Sequence, residues 1–238
     1  MIPVDLHAHS LFSLCGMHTV LEMLARARDL GMAGLAVTDH GPALGGRLNS
    51  TLFDRLHDPL PGIRLLKGLE CNLAGPDGAV DMPPELLPFC DVVLFGLHPN
   101  TPRTGDARAD TALVLAALRR NPFIDIVSHP NSAEYPLDFR ALAAAAAPLG
   151  VALEINNSKT ALHRVSDSVT EELIAACARE RCPVAVCSDA HALNEVGDDS
   201  AVLPLLRSAG FPSELIVNAD PARAFAWLES RRGAKRAA

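Results

Sequence analysis

Val4-Asp5-Leu6-His7-Ala8-His9 is a short apolar run that ends in two histidines two residues apart. On a strand, side chains two apart share a face, so His7 and His9 point together, with Asp5 below them on the same side. The arrangement returns along the chain. Thr38-Asp39-His40, Gly68-Leu69-Glu70, Gly96-Leu97-His98, Val127-Ser128-His129 and Ser188-Asp189-Ala190-His191 each close an apolar run. Six of the nine histidines stand at such ends, where chance would place about one. Functional side chains of an α/β barrel collect at the C-terminal ends of its strands. The spacing therefore predicts a ring of metal donors around one barrel mouth.

Working outward, strands are expected near residues 3–8, 34–38, 63–69, 92–97, 124–128, 151–155 and 183–187. Helical periodicity runs over Thr19–Leu30, Ala109–Arg119, Leu137–Ala147, Ser168–Arg181 and Ser200–Ala209, with Gly31, Gly150 and Gly210 as C-caps. Asp220 and Pro221 open a last helix whose Phe225 and Trp227 dock on the barrel. The alternation predicts an α/β fold, a distorted seven-stranded (β/α)7 TIM-like barrel one strand short of the usual eight. An open doubly wound sheet is the competing architecture. Donors spread over six strands favour closure, because an open sheet gathers its site at one switch point.

The 238 residues, 49% apolar and 21% charged, suit one domain over 1–238, with the basic end from about 233 expected to fray. A formal net charge of −7 argues against a surface that coats nucleic acid. Three divalent cations would reverse that sign locally, so an anionic substrate stays compatible with the acidic shell. The six cysteines form no CxxC pair and read as reduced packing residues. With no signal-peptide pattern and no run near ~18 apolar residues, a cytoplasmic protein without a membrane segment is expected.

A catalytic zinc keeps about three protein ligands and one open position. His7, His9, His40, Glu70, His98, His129, Asp189 and His191, plus one nearby donor, thus divide among three metals. Glu70, a carboxylate among histidines, is the candidate bridge. Asp39 must face away from the neighbouring His40 and suits support of a ligand better than ligation. Zinc, iron and manganese all accept such donors.

These motifs, with Ser128-His129-Pro130 and Glu154-Ile155-Asn156-Asn157, resemble those of the PHP (polymerase and histidinol phosphatase) superfamily and, within it, the YcdX-like phosphatases. The resemblance runs from Met1 to about Arg232. It implies a distorted seven-stranded barrel with a trinuclear centre: His7, His9, Glu70 and Asp189 on one metal, Glu70, His98 and His129 on the second, His40 and His191 on the third. The family usually adds a histidine to the third metal. Here Cys15 stands in that position, and a thiolate there biases the site toward zinc. His18 is the competing donor, and a third metal without either is the remaining alternative.

Phosphate chemistry also wants a cation near the non-bridging oxygens. Arg103, His163 and Arg164 are the chosen candidates for substrate binding, ahead of Arg47 and Lys159. Asn156 and Asn157 line the pocket or fasten a loop; Asp5 and Asp125 orient ligands or cap turns. The implied activity is phosphoric monoester hydrolysis of a small substrate, such as histidinol phosphate, by a metal-activated water at Glu70 and Asp189. The alternatives are a phosphodiesterase or nuclease of the same superfamily and a non-catalytic, metal-stabilised module. No GxSxG elbow, P-loop or GxGxxG fingerprint supports serine, nucleotide or dinucleotide chemistry.

Overall fold

The computed structural model describes residues 1–47, 50–99 and 101–237, and for residues 236 and 237 the backbone alone. In chain order the elements are β1 (Val4–Asp5), α1 (Val20–Asp29), β2 (Gly34–Val37), α2 (Ser50–Arg55), β3 (Arg64–Asn72), β4 (Val92–Gly96), α3 (Ala107–Arg120), β5 (Ile126–Val127), α4 (Phe139–Ala146), β6 (Ala152–Asn156), α5 (Asn157–Ala161), α6 (Asp167–Glu180), β7 (Val184–Cys187), α7 (Leu203–Ser208) and α8 (Pro221–Ala237). Each strand pairs in parallel with the next in sequence, giving the order β1 to β7 without a crossover. This is the nearly closed, distorted (β/α)7 barrel that the sequence predicts.

Local chemistry explains the elements. Thr19 caps α1 in a reciprocal box with Glu22, which satisfies two backbone donors at once. Gly150 takes φ +64 after the helical turn that follows α4, a conformation in which a Cβ would be strained. The predicted helix over Ser200–Ala209 starts only at Leu203. Its first residues are held instead by Asn157, whose Oδ1 accepts the Ala201 amide at 3.0 Å.

The seam between β1 and β7 closes in two places. At the mouth the His9 amide donates to Ala190 O at 2.8 Å and the Asp189 amide to His7 O at 3.0 Å. Below, the buried Asn218 donates from Nδ2 to Val4 O at 2.9 Å and Val186 O at 2.6 Å, and accepts the Val186 amide at 3.0 Å. One side chain thus does part of what an eighth strand would do.

Leu66, Leu94, Ile126 and Ala185 form a packed interior with Ala224 and Leu228 of α8, and Phe225 and Trp227 lie against it. Burial of this kind is worth ~25 cal/mol per Å² of apolar surface removed from water. The last helix therefore plugs the base and leaves the other mouth to the site. The basic end is helical through Ala237. Lys235, 2% exposed, pairs with Asp125 at 2.7 Å, and Arg231 reaches the same carboxylate at 3.1 Å. Asp125 is thus a base anchor and lies away from the ligands. No helix among the described residues is long and apolar enough to cross a membrane.

Candidate metal centre

Glu70 leaves β3 fully buried in the mouth, and five imidazoles meet its carboxylate. His7, His9 and His40 stand 3.4, 3.5 and 2.9 Å from Oε2. His98 and His129 stand 3.2 and 3.0 Å from Oε1. Asp189 Oδ1 lies 3.2 Å from His9 Nε2 and 3.5 Å from His7 Nε2. Three overlapping groups each have all their donor atoms within 4.8 Å of one another: His7, His9 and Asp189; His40, Glu70 and His98; and His9, Cys15, His40 and His191. His18 is in none of these groups. His9 and His40 each belong to two, a sharing that the strand-end pattern alone does not reveal.

The donors fit a metal. Among the described residues, His40 Nδ1, Glu70 Oε2 and both ring nitrogens of His98 are buried without a hydrogen-bond partner. Buried polar atoms left this way are costly. His40 Nδ1 nevertheless stands 2.9 Å from Glu70 Oε2, and His98 Nε2 stands 3.2 Å from Glu70 Oε1. Donors ~2.1 Å from one tetrahedral cation would be spaced about 3.4 Å apart, close to the 2.9–3.5 Å separations around Glu70 and Asp189.

Backbone geometry aims two of these side chains. His129 has φ +29 and Asp189 φ +54, left-handed values that cost a non-glycine residue about 1–2 kcal/mol. Asp189 and His191 lie just past the end of β7, where strand alternation no longer governs them. They remain 3.7 Å apart, yet Asp189 joins His7 and His9 while His191 joins Cys15 and His40.

A second layer holds the ligands. His7 Nδ1 is 2.7 Å from Glu154 Oε1, which leaves Nε2 turned to the centre. The other Glu154 oxygen accepts the His129 amide at 2.5 Å and Asn156 Nδ2 at 3.0 Å. Asn156 Nδ2 also holds Asp189 Oδ2 at 3.1 Å. Sequence reasoning quoted Glu154 only within the family motif and gave it no role; the available signal was a lone carboxylate inside an apolar strand. Asn157 fastens the loop after β7 by donating to Asp198 at 2.9 Å. Asp39 turns from the centre and accepts from the Ser10 amide, Ser10 Oγ and Ser13 Oγ at 2.6–2.8 Å. Asp5 accepts from Ser188 and Gly197 and ties β1 to the loop after β7.

The electrostatics are divided. Burial would raise Glu70, but the charges of His98 and His7 with the close imidazoles of His129 and His40 hold it well below the usual carboxylate range. Burial disfavours an imidazolium at His7, yet Glu154, Glu70 and Asp189 keep it well above the usual histidine value. His9 falls to about 3 through burial. His40 rises to about 10 against burial, through the adjacent Cys15 sulfur and Glu70 carboxylate. His191 rises against burial through Cys15 and Asp189. Cys15 falls to about 6 against burial, through His191 and His40.

The substrate-binding candidates sit farther out. Arg103 stacks 4.9 Å over the Tyr135 ring. His163 and Arg164 are exposed and line, with Asn131 and Ser132, a cavity of about 370 Å³. Arg47 is exposed.

A family model described as PHP domain matches residues 5–135. A "Probable phosphatase" of Syntrophotalea carbinolica is 42% identical over 220 residues, spanning 90% of this chain and 91% of the relative. A "Probable phosphatase YcdX" of Escherichia coli O81 is 33% identical, over 97% and 96% of the two chains. In fold, the chain is similar to the histidinol phosphate phosphatase of Lactococcus lactis, solved with zinc, L-histidinol and phosphate. That likeness has a TM-score of 0.66 at 17% identity and covers 88% of this chain and 94% of the other.

Proposed function

The chain belongs to the PHP domain family, and on that premise we propose that it is a phosphatase that hydrolyses phosphoric monoesters at a centre of three divalent cations. One observation carries the reading: five imidazoles converge on the two oxygens of Glu70. A carboxylate shared in this way suits a bridge between cations. The phosphatase names of the relatives support the reaction class.

His7, His9, Glu70 and Asp189 would hold one cation, Glu70, His98 and His129 a second, and Cys15, His40 and His191 with His9 nearby a third. Imidazole and thiolate donors together favour zinc. Bound there, the cations would bring the pKa of a water toward ~7 for in-line attack on phosphorus and would neutralise the phosphoryl oxygens. The protein's own groups do the positioning. Glu154 fixes the His7 ring so that Nε2 faces His9, Glu70 and Asp189, and Asn156 occupies one Asp189 oxygen so that the other faces His7 and His9. Asp39 holds the loop that carries Cys15 through Ser10 and Ser13. Arg103, His163 and Arg164 supply positive or hydrogen-bonding contacts to a small phosphorylated substrate.

The test is hydrolysis of p-nitrophenyl phosphate by the protein as isolated, after chelation, and after zinc is restored, with the metal content measured in parallel. Loss on chelation and recovery with zinc is expected. A fully loaded protein that leaves the monoester intact while cleaving bis(p-nitrophenyl) phosphate would move the reading to a phosphodiesterase.

A further inference from the structure

Cys15 gives the candidate centre a donor whose grip on a cation depends on its oxidation state. Resting on the metal-centre reading above, we propose that the cation held by Cys15, His40 and His191 is released when a hydroperoxide oxidises the Cys15 sulfur. The same sulfur would make this corner prefer thiophilic cations such as zinc over manganese.

Geometry places the sulfur for both roles. Cys15 shares a donor group with His9, His40 and His191, and it is the exposed member of the six free cysteines. The backbone fixes it. The Leu11 amide donates to His18 O at 2.8 Å, closing the loop, and the Met17 amide donates to His191 O at 3.0 Å, joining it to the loop after β7. Gly16 lets the turn close, since a Cβ there would stand 2.0 Å from Ser10 O. The loop is thus fastened on both sides of the thiol.

The surroundings select the product. Cys71, Cys90, Cys177, Cys182 and Cys187 are at most 3% exposed and packed in the apolar clusters, so none is placed to form a disulfide with Cys15. The thiolate sulfur attacks the terminal oxygen of the hydroperoxide. An S–O bond forms as the O–O bond breaks, sulfur gives up two electrons, and the leaving alkoxide or hydroxide takes a proton from water. The sulfenic acid formed is uncharged and a poor ligand. The other two proposed cation sites, built from His7, His9, Glu70, His98, His129 and Asp189, contain no sulfur and keep their ions.

The experiment uses zinc-loaded protein beside Cys15→His and Cys15→Ser variants. Hydrogen peroxide is titrated in, zinc release is followed with a chromogenic chelator, and sulfenic acid is trapped with dimedone for mass analysis. About one zinc equivalent should leave in step with dimedone labelling at Cys15, and dithiothreitol with zinc should restore it. Zinc held by Cys15→His should be indifferent to peroxide. Cobalt-loaded protein should show a thiolate-to-cobalt charge-transfer band that both variants lack. Equal release from Cys15→His, or labelled Cys15 with all zinc retained, overturns the proposal. A protein that binds no divalent cation defeats the centre itself and this inference with it. A loaded, monoester-cleaving protein without the cobalt band leaves the centre standing and defeats this inference alone.

Discussion

Glu154 reaches the chemistry only through other groups, and that makes it informative. Its carboxylate holds His7 Nδ1 at 2.7 Å and the His129 amide at 2.5 Å. Outer partners that orient a ligating histidine are typically worth 10–100-fold in metal affinity. Glu154→Gln keeps the volume and loses the charge, so zinc affinity should fall by about 10–100-fold with the fold intact. A competition titration against a chromophoric chelator, beside circular dichroism, measures it; unchanged affinity would mean that packing alone sets the His7 ring. Eight of the nine candidate ligands were legible because they stand at or just past a strand end, a pattern written within a few residues, whereas Cys15, in the loop after β1, was named only through the family resemblance. The role of Glu154 was not legible, because its partner lies 147 residues away and becomes a neighbour only when the barrel closes. The left-handed backbone at Asp189 and the double membership of His9 were hidden for the same reason.

At the level of elements, the strands were read to within a few residues because their apolar runs are short and bounded. The seam that closes them was not. Asn218 entered the sequence reading only as a residue before the last helix, whereas it bonds Val4 and Val186, more than 180 residues apart in the chain. Three hydrogen bonds on a buried side chain make it a large fraction of the closure. Removing it strands donors and acceptors that each cost about 1–3 kcal/mol when buried and unpaired. Asn218→Ala should therefore lower unfolding stability by about 2–4 kcal/mol, measured by urea denaturation. A loss near zero would mean that the His9–Ala190 and Asp189–His7 bonds at the mouth, with the ties from Asp5 to Ser188 and Gly197, carry the seam.

Across the whole molecule, buried carboxylates lie at both ends of the barrel, and the two ends are answered differently. At the base the chain supplies its own cations, Lys235 and Arg231 on Asp125. At the mouth Glu70, Glu154 and Asp189 face imidazoles, and His7, His40 and His191 hold their protons more tightly than a free histidine does. A nitrogen that carries a proton has no lone pair for a cation, so each such proton must leave before a cation binds. With His40 raised to about 10, the competition persists through neutrality and fades as pH climbs toward that value. Zinc affinity should therefore rise from pH 6 to pH 8, and the apparent heat of binding should change with the ionisation heat of the buffer, both readable by calorimetry. Affinity flat with pH would mean that the imidazoles are already neutral. The cluster around Glu70 thus makes filling the mouth an acid-releasing reaction: mixed with zinc in weakly buffered water, the protein would sour its own solution.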